Sequence, residues 1–266
     1  YLHEYSRFVR RLKRMVIFSN FDRNGAMPFF TGTGTCFIMR GMEKLSPHYR
    51  NDDTDGLPAS IREYLDKHYL QDLINLEKSN PKIAVVFSGG NAVGKSALSY
   101  KIRDELGGLV LENDEIKSHL VKYDPGLDRD ALNVLTWKYS IDLYSRLEIV
   151  TANGLVVRDG VIDWYFDRIL PVFEKQRYGL FIVGYDISRK KRIELIKKRG
   201  DKPTVSVERL IELMADHDIH MRRFRKSYTP DVILSDENIF DHDMVIEKLR
   251  ERISGLQYRG HEKNLV

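Results

Sequence analysis

The sequence predicts an α/β fold built on a parallel sheet, and three features predict it. From Pro81 onward, short wholly apolar runs alternate with longer amphipathic stretches. Strands that are apolar throughout are buried on both faces, which is how a parallel sheet covered by helices reads. A glycine-rich turn separates the first such run from the stretch behind it. No run is apolar for the length that a bilayer-spanning helix needs.

In chain order, the turn-rich "NDDTDGLP" marks a boundary between an N-terminal extension, 1–56, and a domain over 57–266. Within the extension, "YLHEYSRFVRRLKRMVIFS" reads as a basic helix running into a strand, and the rest specifies no fold. In "ASIREYLDKHYLQDLINLEK", Ile61, Leu65, Tyr69, Leu73 and Leu76 recur at spacings of three and four. That places them on one helical face, toward a core. The strand candidates are "IAVVF", "GLVLE", "GLVVR", "LFIVGY" and "DVILS". Helices are expected between and after them at about 96–106, 130–152, 164–177, 188–199, 206–225 and 241–254.

Composition narrows the class. The 266 residues are 42% hydrophobic and 31% charged, as in a globular domain of the soluble kind. Cys36 is the only cysteine, so no disulfide framework forms within one chain, and a reducing cytoplasm is the expected setting. A net charge of +4 is too small to imply nucleic acid by itself.

The stretch "SGGNAVGKSALS" fits the phosphate-loop pattern G-x-x-x-x-G-K-[ST] through Gly89, Gly94, Lys95 and Ser96. With glycine near 7% of residues, the pattern arises by chance in roughly one such chain in a hundred, so the flanking strand and helix carry the reading. Glycines let backbone N–H groups of Gly89, Gly90, Asn91, Ala92, Val93 and Gly94 turn toward phosphate oxygens, and a helix opening at Ser96 and Ala97 adds its positive end. Lys95 reaches the outer phosphates, and the Ser96 hydroxyl suits Mg²⁺. ATP and Mg²⁺ are therefore the expected ligands. A guanine-reading N-K-x-D is absent, and "LENDE" lies too early for the acidic strand end of an oligomeric motor.

A kinase needs a base, a second carboxylate and a basic lid. "GLVLENDEIK" puts Asp114 at a strand's C-terminal end, where it can take a hydroxyl proton; the plainer alternative is a helix-capping role. Glu112 and Asn113 flank it, and Lys117 lies one turn further on. "GLVVRDG" offers Asp159 to orient Mg²⁺, against a turn-forming Asp-Gly, with Arg158 on the other face of a regular strand. The basic "SRKKRIELIKKRGDKP" supplies Arg192 and Arg199, seven apart on one helical face, as lid arginines; a solvated helix face is the alternative. His217 and His220 read as surface residues.

The phosphate loop, "LENDEIK", "GLVVRDG" and the basic segment after "LFIVGY" together resemble the zeta-toxin and polynucleotide-kinase group of P-loop kinases, over about residues 81–254. The resemblance implies a five-stranded parallel core, Asp114 as the catalytic aspartate, and Lys95 and Ser96 on the phosphates and metal. Where zeta toxins carry a Glu-Gly-Thr-Gly-Arg-like run toward a nucleotide-sugar, this chain has Arg158, Asp159, Gly160, Val161 and Ile162.

The leading expectation is thus an ATP-Mg²⁺-dependent kinase acting on a hydroxyl of a small metabolite, nucleotide or nucleotide-sugar. A polynucleotide 5′-hydroxyl kinase comes second, motivated by the basic lid and "RFVRRLKR". A nucleotide-dependent switch that binds a protein partner through residues 1–56 comes third. No membrane association is expected.

Overall fold

All five apolar runs become strands of one parallel sheet in a computed structural model of the chain, which describes residues 56–71, 81–147, 154–201 and 206–262. The expected N-terminal extension falls, Gly56 apart, outside the described residues. The strands are β1 (Ile83–Ser88), β2 (Leu109–Glu112), β3 (Leu155–Val161), β4 (Gly179–Asp186) and β5 (Val232–Ser235). They lie in the order β2-β3-β1-β4-β5, every pair parallel. The helices are α1 (Ala59–Leu65), α2 (Lys95–Leu106), α3 (Asn113–Tyr123), α4 (Arg129–Ser145), α5 (Phe166–Lys175), α6 (Arg189–Arg199), α7 (Val207–Glu212), α8 (Met214–Ser227) and α9 (His242–Glu262). The predicted class, α/β with a five-stranded parallel sheet flanked by helices, is the fold observed.

β1 is the central strand, and all six of its residues are buried, which is why "IAVVFS" shows no alternation. Leu98 and Ile102 of α2 and Val245, Ile246 and Leu249 of α9 join Ile83, Val85 and Phe87 in one core cluster. Each such side chain contributes roughly 1.5–3 kcal/mol by leaving water, so this cluster outweighs any single cap or ion pair. Polar caps set the helix starts: Asp128 accepts from the Ala131 N–H, Ser188 from Lys191 and Ser206 from Arg209. Helix α2 stops at Gly107, which turns left-handed at φ 69° and donates back to the Arg103 carbonyl.

Three local features differ from expectation. Helix α1 passes into a π turn over Asp66–Leu70, which keeps Tyr69 and Leu70 buried, while residues 72–78 lie outside the described set. The single helix expected over 206–225 is two helices, α7 and α8, that meet at Leu213. Leu210 and Met214 pack with Ile196 of α6, whereas Phe224 meets Phe166 edge-on at 5.4 Å. The third lies in β3: Val85 pairs with Val157 but Phe87 pairs with Val161, so Arg158, Asp159 and Gly160 bulge away from β1. Such a bulge re-aims side chains at the end of a strand.

Candidate active site

The phosphate loop closes between β1 and α2 through backbone that side chains disfavour. Gly89 sits at φ 136° and Gly94 at φ 93°, and Ala92 adopts φ 62° despite its Cβ. At Gly89 no side chain fits: a Cβ would stand 2.7 Å from the Tyr185 Cβ. The Gly89 N–H donates to Asp163 at 2.7 Å, which fixes the start of the loop. Lys95, buried, donates from Nζ to the Gly90 carbonyl, and Nζ lies 5.9 Å from the centre of the Tyr185 ring. Burial pushes its ammonium down to about 8, against the upward pull of Asp159 and Asp163 and with Arg199 and Arg158 adding to the fall. A lysine ammonium with no carboxylate in hydrogen-bond contact, folded onto its own loop, is poised for an anion.

Parallel pairing places Glu112 opposite Asp159 at the C-terminal end of β2 and β3, the edge where open α/β sheets take ligands. Burial raises the Asp159 carboxyl above the usual carboxylate range; hydrogen bonding with Ser96 and the Lys95 charge pull it back, while Asp114 pushes it up. Asp114 itself lies exposed in the first turn of α3, directly behind β2, near enough to raise Glu112 as well. Glu112 accepts from the Tyr100 hydroxyl, and its own N–H donates to Tyr69 Oη at 3.1 Å. Lys117, one turn along α3, is pushed down by burial and held up by Asp114. The sequence-predicted Lys95, Ser96, Asp114 and Asp159 therefore share one electrostatic neighbourhood.

The two arginines expected in a lid, Arg192 and Arg199, occupy different environments. Arg192 is buried; it pairs with Asp218 of α8 at 2.7 Å, and its Nη1 lies 3.2 Å from where a Cβ of Gly90 would stand. Arg199, in the last turn of α6, is exposed, and its charge is felt at Lys95. The histidines overturn their surface assignment. His217 and His220 are each 6% exposed. Trp164, in the turn after β3, donates its indole N–H to His217 Nδ1 at 2.9 Å and stacks on His220 at 4.3 Å between ring centres. On the other side of the ring, the Asn91 amide nitrogen lies 3.1 Å from His217 Nε2. Helix α8 is thus tied to the phosphate loop through Asn91, and Trp164 draws both imidazoles inward.

Asp163, not singled out in the sequence, is a further buried carboxylate at the loop, raised by burial and lowered by Ser88 and the Gly89 N–H. Phe240 is another: it stands 62% exposed beside Gly94, with His242 Nε2 on the same side. An apolar ring in water next to a phosphate loop is a face for a flat base.

These residues fit a nucleoside triphosphate and its metal. The loop has the left-handed glycines and the buried lysine that phosphate needs. Among the described residues no group of three or more His, Cys, Asp or Glu side chains is placed to hold a metal alone. Ser96 and Asp159 instead offer the one or two hard oxygens that Mg²⁺ takes from protein when phosphates and water complete its shell. No helix among the described residues is long and apolar enough to cross a membrane.

No family model and no curated protein sequence matches the chain. Solved structures similar to it include one from the PezAT chromosomal toxin–antitoxin system of Streptococcus pneumoniae, at TM-score 0.49 and 13% identity, covering 67% of this chain and 79% of that one. The Deinococcus radiodurans tunicamycin resistance protein is similar at TM-score 0.46 and 15% identity, over 65% and 95% of the two chains. A gluconokinase from Sinorhizobium meliloti 1021 gives 0.44 and 17%, over 69% and 99%. Likeness of this degree speaks to neither substrate nor reaction.

Proposed function

We propose that the chain is an ATP- and Mg²⁺-dependent phosphotransferase that moves the γ-phosphate to a hydroxyl of a small metabolite, nucleotide or nucleotide-sugar. The observation that carries this reading is the grouping of Lys95, Ser96, Asp159 and Asp114 where the phosphate loop meets the C-terminal ends of β2 and β3. The resemblance to the zeta-toxin and polynucleotide-kinase group supports it. We assign the activity to residues 57–266, leave 1–56 as a separate extension, and place the enzyme in the cytoplasm on its single cysteine.

With the Gly89 N–H held by Asp163, backbone N–H groups of Gly90 to Ala97 cradle the phosphates, and Lys95 compensates charge on their outer oxygens. Ser96 and Asp159 hold Mg²⁺, which when bound supplies neutralisation of the phosphate oxygens as charge shifts. Asp114 accepts the proton of the acceptor hydroxyl while the new O–P bond forms. The bond from the γ-phosphorus to the bridging oxygen breaks, and ADP leaves. Arg199, exposed at the end of α6, closes on the transferring group, while Arg192 bears on the loop at Gly90. Phe240 receives the base.

Asp114→Asn tests the assignment, because it removes a base without touching the phosphate loop. Nucleotide affinity is expected to stay unchanged while transfer falls by a factor of about 10² to 10⁴. Equal transfer rates in the two proteins would remove Asp114 from the mechanism.

A further inference from the structure

Arg158 is a buried cation that the transfer chemistry above does not use. It is 2% exposed, and neither Nε nor Nη1 has a hydrogen-bond partner. The guanidinium hydrogen-bonds with the Tyr144 hydroxyl, an uncharged group. The Asp159 carboxylate feels its charge, but buried polar groups in native structures are hydrogen-bonded with few exceptions, and these two nitrogens are not. Two N–H groups of Arg158 are aimed at something else.

Their direction follows from the bulge at the end of β3. Arg158 is the first residue of β3 released from its register with β1. Its guanidinium runs forward along the strand over Gly160: Nη1 lies 3.1 Å, and Cζ and Nη2 lie 3.6 Å, from where a Cβ of residue 160 would be. A side chain there would push on the head group, so Gly160 leaves room for it. The head group thereby reaches the C-terminal edge of the sheet, one residue from Asp159 and close enough for its charge to be felt at Lys95.

We infer that Arg158 is the anchor of the acceptor site and takes an anionic oxygen group, carboxylate or phosphate, on the molecule that is phosphorylated. This inference rests on the phosphotransferase reading and narrows its substrate class: the acceptor carries a hydroxyl and an anion a few bonds apart, as in a hydroxy acid, a sugar phosphate or a nucleotide. Arginine suits the task because its planar fork offers parallel N–H donors to two oxygens of one anion. Tyr165, close enough to feel the guanidinium charge and 4.3 Å between ring centres from the tilted Trp137 ring, offers an uncharged face beside it.

The test titrates inorganic phosphate, and separately succinate, into the full chain held with Mg²⁺ and excess β,γ-imido ATP analogue, followed by calorimetry. The wild type is expected to bind at least one of the two anions saturably, and whichever binds more tightly tells phosphate from carboxylate. Arg158→Gln is expected to abolish that binding. Arg158→Lys keeps the buried charge and the fold but loses the fork, and is expected to weaken binding about tenfold. Unchanged anion affinity in both variants, or no saturable anion binding by the wild type, overturns the inference; should the Gln variant not fold, the Lys variant decides. Binding of the nucleotide analogue alone is read in the same experiment. Its absence in the wild type would refute the phosphotransferase reading, while dependence of anion binding on Arg158 would still stand or fall by itself.

Discussion

Replacing His217 with Gln removes a buried imidazole that resists protonation, and the pH dependence of stability reports the loss. Trp164 donates into Nδ1, and burial, aided by Lys95, Arg192 and His220, brings the ring down from 6.5 to about 3. The unfolded chain takes up this proton near 6.5, whereas the folded protein does not until about 3. Between those values the unfolded state binds more protons, so stability is fully present above 6.5 and is lost as pH falls. At about 1.36 kcal/mol per pKa unit, the loss between about pH 7.5 and about pH 5 comes to about 2 kcal/mol. A Gln amide fills much of the same volume, can accept from Trp164 and does not titrate. Urea unfolding followed by circular dichroism at the two pH values gives the comparison directly. The wild type is expected to lose about 2 kcal/mol more than His217→Gln over that interval. Parallel losses in the two proteins would refute the neutral, indole-bonded state of His217.

Other perturbations address the loop, the metal and the extension. Gly89→Ala forces a Cβ to within 2.7 Å of Tyr185 at a left-handed φ of 136°, and a loss of about 2 kcal/mol or more in urea stability is expected together with loss of nucleotide binding. Asp159→Asn is expected to leave metal-free ATP binding nearly intact and to reduce its strengthening by Mg²⁺ by about tenfold, measured by calorimetry with and without the ion. A chain beginning at Leu57 is expected to keep the full transfer rate of the intact protein; a drop in its kcat would draw residues 1–56 into the activity.

The strands were legible because a central parallel strand has no solvent face: "IAVVFS" is buried at every position and therefore apolar at every position. The phosphate loop was legible because its backbone path demands glycine at Gly89 and Gly94 and because Lys95 and Ser96 follow immediately. What depended on distant partners was not legible. His217 and His220 sit among charged letters in α8, and only the approach of Trp164, from the turn after β3, makes them interior residues. Asp163 became visible through its bond to the Gly89 N–H, a contact across 74 residues of sequence. Arg158 read as one more strand residue on the far face, because the bulge that swings it forward arises from pairing with β1. Phe240 carried one usable signal, an aromatic in the polar stretch "DENIFDHD", but nothing in the sequence sets it beside Gly94.

The central claim is phosphoryl transfer at the loop between β1 and α2. Incubation of the protein with γ-labelled ATP, Mg²⁺ and two acceptor pools, a small-metabolite extract and 5′-hydroxyl oligonucleotides, tests it most directly, with Lys95→Ala as the control. The account predicts label in an anionic member of the metabolite pool, absent from the control. Label in neither pool, from a protein that binds ATP, would contradict it.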